Sequence, residues 1–163
     1  LAATLSTNYG IYGGAFITCQ TEAFPGKEEY NSNEKYEVKN WDLDAPGNIK
    51  HEVTLINKIR RENPALHTPW SLNIRPTDNK EIMFYIKTTD DFSSIVMTVV
   101  NLDPHNKQAG YVSVPLDLPG LVQDSGYEVE DLITGNVYVW KGEWNYVELD
   151  PAIFPAHVLK LIV

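Results

Sequence analysis

The sequence predicts an α+β chain that is mostly β. An α/β piece covers residues 1–70, and an antiparallel sandwich or barrel covers residues 71–163. Three observations predict it. One strongly periodic amphipathic helix lies in the first part. Seven short runs rich in Val, Ile, Tyr and Phe, separated by turn residues, fill the second. Within those runs, Tyr127-Glu128-Val129-Glu130 and Trp144-Asn145-Tyr146-Val147-Glu148-Leu149 alternate as sheets with one wet face do.

Taken in order, the chain opens Leu1-Ala2-Ala3-Thr4-Leu5, with no methionine and no basic residue. A secretory leader carries positive charge first. The segment instead predicts the tail of a buried apolar helix ended by Ser6-Thr7-Asn8, and a chain that starts inside a larger protein. Tyr9-Gly10-Ile11-Tyr12-Gly13-Gly14 predicts a short strand closed by glycines, the kind parallel α/β units use. A loop follows over residues 18–47, with Pro25-Gly26 and Pro46-Gly47 as turn markers. Loops of that length in compact domains are usually functional or disordered, and Tyr30, Tyr36 and Trp41 argue against disorder.

The helix is predicted over residues 49–63. Ile49, Val53, Ile56 and Ile59, with Leu55 beside them, share one face, while Lys50, Glu52, Asn57, Lys58 and Arg61 point elsewhere. Asn48 is placed as its N-cap, Lys58, Arg60 and Arg61 meet the negative end of the dipole, and Pro64 stops it. Burying four such side chains offers roughly 1.5–3 kcal/mol each, which a short helix needs because it is marginal alone. The strands are predicted at residues 81–87, 94–102, 111–116, 127–132, 137–140, 144–149 and 157–163, the last paired inside a sheet. The boundary between the two parts falls near residues 69–72.

Bulk properties narrow the partners. A net charge of -9 and a pI near 4.8 repel nucleic acid and anionic membrane, so neither is an expected partner. No apolar run approaches the roughly 18 residues of a membrane span. The single cysteine, Cys19, excludes an internal disulfide, fits a reducing cytoplasm, and is expected to be a small buried hydrophobe.

No catalytic constellation is complete in the chain. Phosphate-binding glycine loops, HExxH, paired zinc cysteines and the G-x-S-x-G elbow are all missing from the sequence. His51, His67, His105 and His157 are scattered and read as surface or strand residues. Asp42 and Asp44 form a carboxylate pair with the spacing of acid/base work, but a helix-approach turn uses the same charges. Trp140 and Trp144 could stack on a sugar ring, although core packing is the commoner use. The remaining candidate is Glu28-Glu29-Tyr30-Asn31-Ser32-Asn33-Glu34-Lys35-Tyr36-Glu37. Lys35 supplies a point-charge donor and Tyr36 an amphipathic ring, which a hydroxyl-rich ligand needs because each buried hydroxyl must find a partner. A solvated loop has the same composition.

Taken together, Tyr9-Gly10-Ile11-Tyr12-Gly13, the 28–37 block, Asn48-Ile49-Lys50, Ile56-Asn57 and Ile59-Arg60-Arg61-Glu62-Asn63-Pro64-Ala65-Leu66 resemble the maltose-1-phosphate-dependent maltosyltransferases. These form a branch of the α-amylase superfamily (glycoside hydrolase family 13). The match covers about the first 70 residues, and the block ending Glu34-Lys35-Tyr36-Glu37 is its most specific part. The resemblance implies that residues 9–13 are the last strand of a (β/α)8 barrel and residues 49–63 its last helix, followed by a β-sandwich domain. Barrel active sites lie at the C-terminal ends of the strands, so the 28–37 block would stand at the rim of a sugar cleft. It further implies that Lys35 and Tyr36 bind the non-reducing-end glucose of the donor, and that the partners are α-maltose 1-phosphate and α-1,4-glucan. A cytoplasmic enzyme, homodimeric at full length, without cofactor or metal, completes the expectation. The catalytic carboxylates would lie on earlier strands, leaving this chain inactive by itself. Another superfamily member, such as an amylase or branching enzyme, or a non-enzymatic carbohydrate-binding β module remain alternatives.

Overall fold

Every one of the seven expected strands is found, and an eighth precedes them. The computed structural model describes residues 1–20, 22–27, 38–121 and 125–162. Its strands are β1 (Asn73–Arg75), β2 (Ile82–Thr88), β3 (Ile95–Asn101), β4 (Gln108–Ser113), β5 (Tyr127–Asp131), β6 (Val137–Trp140), β7 (Trp144–Leu149) and β8 (Ala156–Ile162). A six-stranded sheet runs β1-β2-β3-β8-β5-β6 and a two-stranded sheet joins β4 to β7, all antiparallel. The sandwich is therefore the form adopted, and β8 is paired on both sides, as its unbroken apolar run requires. β4 begins three residues earlier than expected, since Gln108-Ala109-Gly110 carry no β-branched signal, and ends three residues earlier, since Pro115 has no N–H to prolong a ladder. At three residues, β1 is too short to show alternation.

The chain divides into two compact units, Leu1–Asn8 with Ile59–Val163, and Tyr9–Lys58. In the larger one, Phe84, Ile86, Met97, Val129, Leu149 and Leu159 pack between the two sheets. Their strand neighbours Tyr85, Lys87, Val96 and Thr98 point to the other face, yet they too are buried. That outer face is covered by the 3-10 turn Pro64–His67, whose Ala65 and Leu66 are fully buried, and by α1 (Ala2–Leu5). The Thr4 and Tyr85 hydroxyls meet at 2.5 Å, and the Ser94 hydroxyl accepts from the Ala65 N–H at 3.3 Å. Residues 1–5 were expected to be the tail of a buried apolar helix. Instead Leu1 is exposed and Thr4 is the buried residue, because the face it meets carries a phenol.

The last turn of a helix leaves carbonyls unsatisfied. Here Arg60 Nη1 donates to Ala3 O at 2.6 Å and to Ser6 O at 2.7 Å, and Lys87 Nζ donates to Leu5 O at 3.4 Å. Burial, then the neighbouring Arg60 charge, lowers the pKa of Lys87. Arg60, read in the sequence as serving the end of its own helix, thus serves another one.

In the smaller unit, residues 9–12 were expected to form a strand. They have no regular structure, and Gly13–Ile17 form a helix, α2. A strand exists only through ladder bonds to a neighbour, and both sheets are built from residues 73–162. The glycines taken as a strand end instead open the helix, with Gly13 at φ 45°. The predicted amphipathic helix is α3 (Lys50–Glu62). Asn48 caps it by accepting the Lys50 N–H at 2.9 Å, and Tyr9 Oη donates to Asn57. Of its apolar face, Ile59 is buried, while Ile49, Val53, Leu55 and Ile56 are half-buried. Among the described residues no helix is long and apolar enough to cross a membrane.

Replacing Arg60 by Ala leaves Ala3 O in α1 and Ser6 O just after it without their charged donor. Urea unfolding should show a loss of about 1–3 kcal/mol, whereas an unchanged midpoint would remove this contact from the fold's support.

Candidate functional site

Lys35 and Tyr36, the expected sugar-binding pair, lie outside the described residues, as does the whole 28–37 block. Its flanks are described. On the upstream side Gly26, at φ 71°, makes the Pro25-Gly26 turn, with the Lys27 ammonium 5.7 Å from the Phe24 ring centroid. On the downstream side Trp41 lies against Gly14 so closely that a Cβ there would fall 2.0 Å from the indole. Asp42 Oδ1 accepts the Asp44 N–H at 3.0 Å, and Asp44 pairs with Lys50 at 2.8 Å. The two carboxylates therefore build the approach to α3, and neither is arranged against the other for acid/base work. Ile49 N–H donates to Ile17 O at 2.9 Å, joining the two ends of this region. Cys19, expected to be buried, is exposed at φ 54°. It follows α2 at the left-handed position that ends many helices, which turns the side chain outward.

The sandwich holds a second constellation. Asp131, at the end of β5, is fully buried and accepts from the Ile133 N–H at 3.1 Å and the Thr134 hydroxyl at 2.9 Å. Its Oδ2 lies 3.1 Å from Nδ1 of His157 on β8. Burial alone would raise the Asp131 pKa; hydrogen bonds from His157, Thr134 and Ile133, with the His157 charge, outweigh it and hold the pKa below the ordinary value. His157, read as a strand residue, is one. Beside it a pocket of about 310 Å³ is lined by Tyr138, Trp140, Tyr146, Glu148, His157 and Leu159.

The tryptophans part company. Trp140 is in the core, with its ring edge-on to Tyr127 at 6.4 Å between centroids, and Trp144 stands on the surface. Alternation accounts for the difference: in β7, Asn145, Val147 and Leu149 face in, so Trp144, Tyr146 and Glu148 face out. Register then sets Tyr111 opposite Tyr146, with centroids 5.7 Å apart. Glu148 accepts from Lys107 Nζ at 3.0 Å and from Tyr146 Oη at 3.2 Å. Neither the Tyr111–Tyr146 pair nor the Asp131–His157 pair is visible in the sequence, since each depends on cross-strand register. The alternation of 144–149 was the one signal that could have placed Tyr146 beside Trp144. Among the described residues no group of three or more His, Cys, Asp or Glu side chains is placed to hold a metal ion.

Comparison with known proteins places this architecture. The family model described as "GLGE, C-terminal" matches residues 74–161, more than half the chain. The chain belongs to that family. Alpha-1,4-glucan:maltose-1-phosphate maltosyltransferase of Chlorobaculum tepidum is 46% identical over 99% of the chain, and the protein of that name in Cereibacter sphaeroides is 44% identical over 99%. The GLGE C-terminal chain spans about a quarter of these relatives' lengths, 25% and 24%. Among solved structures, an α-amylase of Geobacillus thermoleovorans aligns over 71% of this chain and 23% of its own, at 14% identity and TM-score 0.53. A maltogenic α-amylase of Thermotoga neapolitana aligns over 76% of this chain and 28% of its own, at 11% identity and TM-score 0.50. At such identities the likeness is one of fold.

The Asp131 cluster gives the GLGE C-terminal sandwich an acid limit. Because the folded pKa is depressed, its contribution is whole above the unfolded value of about 3.9 and is lost as pH falls through the folded value below that. In Asp131→Asn the contribution is absent at every pH. The difference in Tm between wild type and variant should therefore be largest near neutrality and shrink as pH falls below about 4. A pH-independent difference would show that the carboxylate's ionisation does not matter.

Proposed function

We propose that this chain is the C-terminal part of a retaining maltosyltransferase, which moves maltose from α-maltose 1-phosphate to the non-reducing end of an α-1,4-glucan. The observation that carries the proposal is the 46% identity, along 99% of the chain, to a relative bearing that name. In it, residues 1–70 close the catalytic barrel, with α3 as its last helix, and residues 71–163 form the C-terminal sandwich. The half-buried apolar face of α3 supports this, because Ile49, Val53 and Ile56 keep exposed area that a barrel would cover.

Retaining transfer uses a carboxylate nucleophile and a carboxylic acid about 5–5.5 Å apart, through a glycosyl-enzyme intermediate. In a family-13 barrel these stand on strands before the last, so this chain binds but does not break the bond, and alone it is inactive. Lys35 and Tyr36 hold the terminal glucose of the donor, the ammonium donating to hydroxyls and the ring covering a sugar face. A cytoplasmic location and a homodimer of the full-length enzyme belong to the same proposal. The single cysteine supports a reducing compartment.

The full-length enzyme should release phosphate from α-maltose 1-phosphate only when a glucan acceptor is present, as followed by a phosphate assay. Hydrolysis or branching independent of phosphate would overturn the proposal. Lys35→Ala should raise the donor KM about tenfold or more, the loss of one charged hydrogen bond to substrate. An unchanged KM would take Lys35 out of the site.

A further inference from the structure

The two-stranded sheet β4–β7 presents three aromatic rings to solvent. Tyr111 is 47% exposed, Trp144 47% and Tyr146 53%, so each offers about half its surface. Trp144 and Tyr146 are two residues apart on one strand, hence about 7 Å apart on one face, and Tyr111 lies directly across from Tyr146. Beside the rings runs a groove of about 470 Å³, lined by Asp78, Asn79, Lys80, Gly110, Tyr111 and Tyr146. Gly110 keeps it open, since a Cβ there would come within 2.5 Å of the Asp78 carboxylate.

We propose that this face and groove bind a segment of α-1,4-glucan. The identity of the sugar rests on the proposed function; the chemistry of the site rests on what surrounds the rings. A hydroxyl-rich, uncharged chain needs flat apolar area for its ring faces and fixed polar groups for its hydroxyls. Both are present here, and both are held in place. Asp78 Oδ1 accepts the Tyr111 N–H at 2.6 Å, and Asn79 Nδ2 donates to Gln108 Oε1 at 3.0 Å and Ala109 O at 2.9 Å. These bonds fix the turn against the ribbon before any ligand arrives, which lowers the ordering cost of binding. Asp78 and Lys80 bring one charge of each sign to the groove, and beside the rings Lys107 is paired with Glu148 at 3.0 Å. The rings that face out are two tyrosines and a tryptophan, each a flat apolar face with a polar handle at its edge.

The test is affinity electrophoresis of the full-length enzyme through gels containing glycogen. Wild type should be retarded. Trp144→Ala combined with Tyr146→Ala should weaken the apparent Kd about tenfold or more, and Trp144→Phe combined with Tyr146→Phe should stay within about threefold of wild type, because flat rings remain. Both residues are exposed, so far-UV CD melting should give a normal Tm for each variant. A wild type that is not retarded, or an alanine variant retarded like wild type, would overturn the proposal. Phosphate release, assayed separately on wild type, keeps the two readings apart. An active enzyme that glycogen does not retard loses this site alone, while a retarded enzyme without phosphate release loses the maltosyltransferase assignment and keeps the site.

Discussion

Because β2 and β3 carry large side chains on both faces, the six-stranded sheet must be covered twice. One cover is the β4–β7 ribbon, which closes the core over Phe84, Ile86 and Met97. The other comes from the opposite end of the chain, from α1 and the turn holding Ala65 and Leu66. Lys87 makes the second cover chemically specific. A lysine buried on a strand needs an oxygen within reach, and Leu5 O supplies one. Arg60 does the same for Ala3 and Ser6. The first eight residues are thereby tied to a sheet that begins some 65 positions later, as a matter of unsatisfied carbonyls as much as of apolar area.

The division of labour in the proposed enzyme follows from what this chain contains. Four of its described carboxylates serve structure: Asp42 and Asp44 shape the approach to α3, Asp131 organises the turn after β5, and Asp103 accepts the His105 and Asn106 N–H groups. Asp103 is drawn down to about 2, chiefly by the hydrogen bond from Asn106. A carboxylate held ionised in this way suits a turn and not proton transfer.

Much of the fold was legible because its signals were local. The face of α3, the strands at 137–140 and 144–149, and the inner position of β8 all follow from periodicity or from an apolar run, and these survive folding unchanged. The family was legible from residues 9–66 as a set. What failed had non-local causes. Residues 9–12 are strand-like by composition, but a strand needs a neighbour; Cys19 is apolar in habit, but its φ turns it outward. Trp140 and Trp144 look alike in the sequence and differ only in which side of the pleat they occupy. The Tyr111–Tyr146 and Asp131–His157 pairs join residues 35 and 26 positions apart, and no local pattern carries such a pairing.

The contact between Gly14 and Trp41 bears on how the intervening segment is closed. Closing a loop costs entropy that grows only slowly with its length. Here that closure is provided at the base, by an indole on a bare Cα and by the Ile17–Ile49 hydrogen bond. The neck thus holds positions 14 and 41, and 17 and 49, together by contacts of its own. The glycine is what permits it: any side chain at position 14 would prise the indole away and open the ring at its fastening.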